Sequence, residues 1–377
     1  MDFVKFVKLN RWVIVVAILI LTSGIFILDM KKKGYSMEKF IKEAKWYRTL
    51  PENRVQCLLC PYNCVLLPGQ RGQCGVRENR GGKLYTLVYG RIVAYHIDPI
   101  EKKPFYHVLP ASGSFSIATA GCNLHCKFCQ NWDISQRKPE ELDFKLLLPE
   151  DIVNLAIKYK CKSIAYTYSE PIIFYEIMED TAKLAKRKGL LNLMVTAGYI
   201  NEEPLKELCK YIDAANVDLK GFTPEYYQNV VYGDLSTVLN TLKIMKENGV
   251  WVEITNLIVP TLNDDPQTIR KMCKWIKENL GPDVPLHFSR FYPMYKLRNL
   301  PPTPVSTLEK AVNIAKEEGL NYVYIGNVPG HPMENTYCPK CGHILIKRRG
   351  YMILENNIID GKCKFCGNPI PGIWKVE

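Results

Sequence analysis

Three cysteines fall within eight residues in Gly121-Cys122-Asn-Leu-His-Cys126-Lys-Phe128-Cys129. Their x3 and x2 spacing puts three thiolates on one short loop. A [4Fe–4S] cube normally takes four Cys ligands. Three therefore leave one iron open, and an open metal position is where a reacting group binds. The same thiolates could instead close a four-ligand zinc site with His125.

Two further groups have the spacing of metal ligands. Cys57, Cys60, Cys64 and Cys74 are separated by x2, x3 and x9, which suits either zinc or an auxiliary iron–sulfur cluster. Cys338-Pro-Lys-Cys341-Gly and Cys363-Lys-Phe-Cys366-Gly are two C-x-x-C-G knuckles whose glycines let backbone amides turn toward sulfur. Four such thiolates make a closed tetrahedral zinc ribbon, with a rubredoxin-like iron site as the other reading. Lys347, Arg348 and Arg349 between the knuckles read as a solvated hairpin. Cys161, Cys209 and Cys273 stand alone in apolar contexts, where free Cys acts as a small buried hydrophobe. Eleven of fourteen cysteines thus cluster, one cluster being odd in number, which favours a reducing compartment over a disulfide framework.

The elements that must position these residues follow from periodicity. Strands are expected at 115–120, 163–168, 191–197, 214–219, 251–259, 285–292 and 322–325. Helices are expected at 151–159, 172–188, 203–212, 235–248 and 266–279, with Asp265 as a cap. Another helix opens at the capping box Ser306-Thr-Leu-Glu309. This alternation demands a parallel sheet with right-handed crossovers, hence an α/β barrel or partial barrel. The cysteine loop follows the first strand, at the edge where parallel barrels carry their chemistry. Segments 99–114 and 328–337, rich in proline, read as linkers.

The chain has 377 residues, 47% hydrophobic and 23% charged, which excludes collagen-like and mainly disordered classes. Of the net charge of +12, residues 1–50 hold +6 and residues 338–377 hold +4, so 51–337 carry +2. A basic groove along the main domain, and with it a nucleic-acid partner, is disfavoured. Residues 12–28 (WVIVVAILILTSGIFIL) are uncharged and about 25 Å long as a helix, the short end of a membrane span. Lysines after it favour a cytoplasmic bulk. The alternative is a start-site artefact, with Met30 or Met37 as the first residue. No Gly-rich phosphate loop or H-E-x-x-H helix occurs.

The chain resembles the radical S-adenosylmethionine (radical SAM) superfamily. Cys122-x3-Cys126-Lys-Phe128-Cys129 matches its C-x3-C-x-aromatic-C motif. Within it, the chain is similar to glycyl-radical activating enzymes such as pyruvate formate-lyase activating enzymes. Its fullest likeness is to the radical SAM protein of the AmmeMemoRadiSam system, through GQRGQCGVRENRGGKLY, GCNLHCKFCQNWDISQ, AYTYSEP and CPKCG…CKFCG. The resemblance implies a radical SAM partial (β/α) barrel at 111–330 with a Cys-rich N-terminal domain at 37–110. A zinc-ribbon module at 331–377 and an apolar segment at 1–36 complete the chain. It implies that Cys122, Cys126 and Cys129 hold three irons of a [4Fe–4S] cluster and that SAM chelates the fourth. Phe128 would lie near the adenine, and Glu170, Thr196 and Asp218 near SAM. Ser169 stands where the family has Gly, and Val195 where it has Asp. Asn256, His287 and Arg290 face the same rim.

The expected activity is reductive cleavage of SAM to a 5′-deoxyadenosyl radical that takes hydrogen from a substrate, a protein glycyl site among the candidates. A ferredoxin or flavodoxin would supply the electron. The competing class is a membrane-tethered metal-binding or electron-transfer module without SAM turnover.

Overall fold

The computed structural model describes residues 41–376; the apolar segment 12–28 lies outside them. An eight-stranded sheet organises the described chain. Its strands are β1 (Ala94–Pro99), β2 (Gly113–Ala118), β3 (Ser163–Tyr166), β4 (Leu191–Thr196), β5 (Ala214–Asp218), β6 (Trp251–Ile258), β7 (Leu286–Arg290) and β8 (Val323–Gly326). Spatial order follows chain order without a skip, β2 to β8 are parallel, and β1 pairs antiparallel with β2. The edge strands β1 and β8 do not bond to each other, so the sheet is open.

Strands such as Ser163-Ile-Ala-Tyr166 are buried throughout, as expected of a parallel sheet covered on both faces. The crossovers carry α1 (Pro149–Lys158), α2 (Tyr175–Arg187), α3 (Glu202–Cys209), α4 (Leu235–Glu247), α5 (Pro266–Leu280) and α6 (Val305–Glu317). Right-handed crossovers stepping always in one direction lay their helices on one face. Asp265 caps α5 by accepting from Thr268 N at 2.8 Å, as its sequence suggests. The expected capping box at Ser306 is not used: α6 starts at Val305 without a side-chain cap. Its entry is fixed instead by buried Thr303, which donates to Ile258 O at 2.5 Å and accepts from Phe291 N at 3.0 Å.

Residues 99–114 are not a linker. After β1 the chain turns beneath the sheet, and Ile100, Phe105, Val108 and Leu109 pack on Ala165, Leu193 and Ala214. Prolines fix the turns while apolar side chains fill the space, each worth about 1.5–3 kcal/mol of burial. This plug is the floor of the sheet's inner face. Residues 328–337 are likewise structured, with Glu334 and Thr336 buried.

At the C-terminus, β9 (Ile344–Arg349) and β10 (Met352–Asn356) form an antiparallel hairpin. Leu345 and Ile346 pack on Tyr106, Tyr322 and Tyr324. Arg348 is not solvated. It is buried, donates to Tyr106 O and Thr336 Oγ1 at 2.8 Å each, and lies 4.0 Å from the Tyr106 ring centre. The tail then runs back under the plug, with Leu109 N to Ile373 O and Ile373 N to His107 O both at 2.8 Å. At the other end, Val55, Leu66 and Leu84 come from two small antiparallel sheets and, with Leu59 and Val76 from the loops beside them, join the main core. No helix among the described residues is long and apolar enough to cross a membrane.

Candidate functional site

The strands β4 to β8 end on a cavity of about 470 Å³, floored by the plug and bounded by the cysteine loop. Its lining includes Cys122, Cys126 and Cys129 together with Phe128, Glu170, Thr196 and Asp218. Seven residues singled out in the sequence, from four separate segments, therefore meet in one place.

The cysteine loop leaves β2 through Gly121, whose φ is +94°. A Cβ there would stand 2.6 Å from Val76 Cγ1 and 2.7 Å from Cys74 O, so only glycine fits. Leu124 N donates to Cys122 Sγ at 3.3 Å, and Cys129 Sγ lies 3.2 Å from Ser135 Oγ. Burial pushes the Cys126 thiol up to about 12 and Cys122 well above its usual value. Neutral thiols are thus favoured without a cation, and bound metal is what would hold them as thiolates. His125 does not join them; its Nδ1 is 2.7 Å from Gln136 Oε1.

Glu170 follows β3 and is 2% exposed. Its carboxylate accepts from Thr196 Oγ1 at 2.6 Å, Ala197 N at 2.8 Å and Ile172 N at 3.2 Å. Burial raises its pKa, and the Thr196 and Ala197 bonds oppose the rise. The residue caps a short turn and also lines the cavity. Ser169, the departure from glycine, is accommodated because its hydroxyl donates to Thr119 O at 2.8 Å.

At the end of β5, Asp218 Oδ2 accepts from Lys220 Nζ at 2.9 Å. Burial would lower the Lys220 pKa, but Asp218 and the Cys126 sulfur hold it well above its usual range. Lys220 Nζ lies 5.8 Å from the Phe128 ring centre, and Phe128 stacks on Tyr226. Val195 lines the cavity with an apolar surface. His287 reaches the cavity, with Nε2 2.7 Å from Glu253 Oε2. Asn256 and Arg290 do not line it: Asn256 donates to Leu219 O and Arg290 to Thr303 O.

The floor contributes groups missed in the sequence. Lys103 is 2% exposed and ion-paired with Asp98, which also accepts from Tyr168 OH. Burial lowers the Lys103 ammonium to about 8 against the pull of Asp98. Glu101 Oε1 accepts from Ala111 N at 2.8 Å, while the buried Oε2 has no partner. Burial raises its pKa. The signal was available in the sequence: four charges in Asp98-Pro-Ile-Glu-Lys-Lys103 are unusual in a run that also carries Ile100, Phe105 and Val108.

The two other cysteine groups differ. Cys338 and Cys366 sulfurs lie 3.6 Å apart, and those of Cys341 and Cys363 3.7 Å apart. A tetrahedron with Zn–S near 2.3 Å requires about 3.8 Å. These four could hold a metal, and among the described residues they alone form such a close set. Gly342 and Gly367 have φ of +73° and +71°, and each donates to the first thiol residue of its knuckle at 2.9 Å. The sulfurs of Cys57, Cys60, Cys64 and Cys74 face one region but are not drawn together in this way.

A family model described as the radical SAM superfamily matches residues 116–276. An uncharacterized protein of Methanocaldococcus jannaschii is 48% identical over 332 residues, covering 88% of this chain and 99% of that protein. The pyruvate formate-lyase-activating enzyme of Clostridium pasteurianum is 27% identical over 166 residues, 42% of this chain and 66% of that enzyme. A solved domain of pyruvate-formate lyase-activating enzyme from Bacteroides vulgatus aligns with a TM-score of 0.39 at 16% identity, over 44% of this chain and 99% of that domain. With its cysteine loop set at the end of a parallel α/β sheet, the chain carries a radical SAM domain over residues 116–276, a family that implies a [4Fe–4S] cluster and SAM.

Proposed function

We propose that the chain is a radical SAM enzyme in which Cys122, Cys126 and Cys129 bind three irons of the [4Fe–4S] cluster. Glu170, Thr196, Asp218 and Phe128 surround SAM in the same cavity. The observation that carries this is the convergence of the three thiols and Glu170 on one cavity at the ends of the parallel strands.

The donor set fits the group. Three thiols share the loop, Cys126 buried and Cys122 and Cys129 partly so, and no fourth Cys or His completes a closed tetrahedral site among the described residues. Glu170 already has three donors, which fix its carboxylate while one lone-pair position remains for an ammonium. Bound there, the cluster and SAM would supply the radical chemistry that takes hydrogen from a substrate. The chain's own residues orient and enclose: Phe128 offers an apolar face, Asp218 and Lys220 fix the rim, and the plug excludes water from below.

The substrate occupies the same cavity, which Lys103, Tyr168 and His287 also line. A protein glycyl site fits the likeness to activating enzymes. A reduced ferredoxin or flavodoxin is the electron donor, and the C-terminal cysteines bind zinc. Anaerobically reconstituted protein with SAM and dithionite is expected to release 5′-deoxyadenosine. Redox cycling without that product would instead identify an electron carrier. A cluster signal unchanged when Cys122, Cys126 and Cys129 are all Ala would end the proposal.

A further inference from the structure

The group Cys57, Cys60, Cys64 and Cys74 sits against the cysteine loop, and four observations define what it suits. First, Cys57 N donates to Cys64 O at 2.9 Å and Asn63 N to Cys60 O at 3.0 Å, which curls 57–64 so that the cysteines share one pocket. A Cβ on Gly72 would stand 3.6 Å from Cys64 Sγ and 3.9 Å from Cys74 Sγ, so both sulfurs border the same small space.

Second, the sulfurs are spread, unlike those of the ribbon. A single tetrahedral ion needs sulfurs about 3.8 Å apart. A multinuclear centre needs them farther apart. The same holds for Cys122, Cys126 and Cys129, which also form no close set.

Third, a buried cation faces the group. Arg77 is 1% exposed, places Nη1 3.3 Å from Cys57 Sγ and leaves Nε without a partner. Its ion pair with Glu176 fixes the guanidinium. An anionic thiolate centre is stabilised by such a charge.

Fourth, two contacts join this group to the first. Cys74 O presses on Gly121, the residue before Cys122. Tyr62, between Cys60 and Cys64, donates to Tyr232 O at 2.6 Å, and neighbouring Val231 O lies 3.8 Å from Cys126 Sγ.

We infer that Cys57, Cys60, Cys64 and Cys74 bind a second [4Fe–4S] cluster that relays electrons to the cluster at Cys122, Cys126 and Cys129. A reduced protein donor of the ferredoxin or flavodoxin class loses one electron to the N-terminal cluster, which then loses it to the first. No bond is made or broken and no proton moves. Cys60, Cys64 and Cys74 are partly exposed, with Val65 and Leu67 on the surface beside them, so a protein donor can approach. The relay rests on the enzyme reading for its acceptor; the second cluster does not.

The test uses the full chain, reconstituted anaerobically. The variant with Cys122, Cys126 and Cys129 all changed to Ala is expected to keep about half the wild-type iron. It should give a reduced-cluster paramagnetic signal that SAM leaves unaltered. Cys60→Ser is the second arm, read as the ratio of SAM-cleavage rates with dithionite and with reduced flavodoxin. Dithionite is small enough to reach the cavity directly, so the ratio should rise at least about tenfold. Zinc in place of iron in the triple variant overturns the cluster, and an unchanged ratio overturns the relay. Absence of SAM cleavage in wild-type protein that keeps both iron centres would defeat the enzyme reading alone.

Discussion

The Glu170 carboxylate accepts the Thr196 hydroxyl at 2.6 Å, and this bond ties the turn after β3 to the end of β4. Because Ala197 N binds the other oxygen at 2.8 Å, the carboxylate is held in one orientation at the cavity wall. Glu170→Gln keeps the shape and removes the charge. SAM cleavage is expected to fall about 10- to 100-fold, a charge-assisted hydrogen bond being worth about 1.5–3 kcal/mol. Thr196→Val should cost less, about 5- to 10-fold. Iron content should stay at the wild-type level in both. A fall in iron matching the fall in rate would instead assign Glu170 to folding of the loop.

Glu101 makes neutral pH costly. Its folded pKa is raised by burial above the ordinary 4.5. Below pH 4.5 both folded and unfolded chains hold the proton. As pH rises, the unfolded chain releases it first, so stability declines until the folded pKa is passed. Glu101→Gln keeps the acceptor for Ala111 N and is expected to add about 1 kcal/mol at pH 7 while flattening that arm. Urea midpoints from pH 4 to 8 measure this; a variant less stable at pH 7 refutes it.

His107 acts in the opposite direction. Its Nδ1 donates to Pro371 O and its Nε2 lies 2.7 Å from Tyr324 OH, and burial lowers its pKa from 6.5 to about 4. The unfolded chain takes up the proton first as pH falls. Stability should therefore drop between pH 6.5 and about 4, by up to roughly 3 kcal/mol. Replacing His107 with Gln should remove this acid arm in the same urea series and leave the Glu101 arm in place.

Arg348 fastens the hairpin to the plug through Tyr106 O and Thr336 Oγ1. Arg348→Met removes the donor to buried Tyr106 O, while Thr336 Oγ1 keeps the Tyr324 hydroxyl, and is expected to lower stability by about 2–4 kcal/mol. Hydrogen exchange should rise first at 100–109 and 336–356. Uniform change across the sheet would show that the hairpin and plug are not coupled.

The strands β2 to β8 were legible because buried parallel strands leave short apolar runs at regular intervals, and the cysteine loop was legible from spacing alone. The antiparallel β1 was not. Tyr95, His96 and Ile97 are exposed on an edge, so Ala94–Pro99 lacks the continuous apolar run of its neighbours. The plug was misread because prolines at 99, 104 and 110 outweighed the apolar residues between them. Arg348 was misread because its neighbours Lys347 and Arg349 do face outward, and no sequence pattern distinguishes one arginine that meets Tyr106. Glu170 and Thr196 were found through motif likeness, while Lys103 and Glu101 depend on contacts made only after β1 turns under the sheet.

The tail at Pro371–Ile373 grips residues 107–109 from below. The base of the cavity is therefore fastened by a segment 264 residues further along the chain. A chain whose Cys122, Cys126 and Cys129 are already in place still lacks a closed base until 371–373 dock, and a change confined to those residues would let water into a cavity whose own lining is intact.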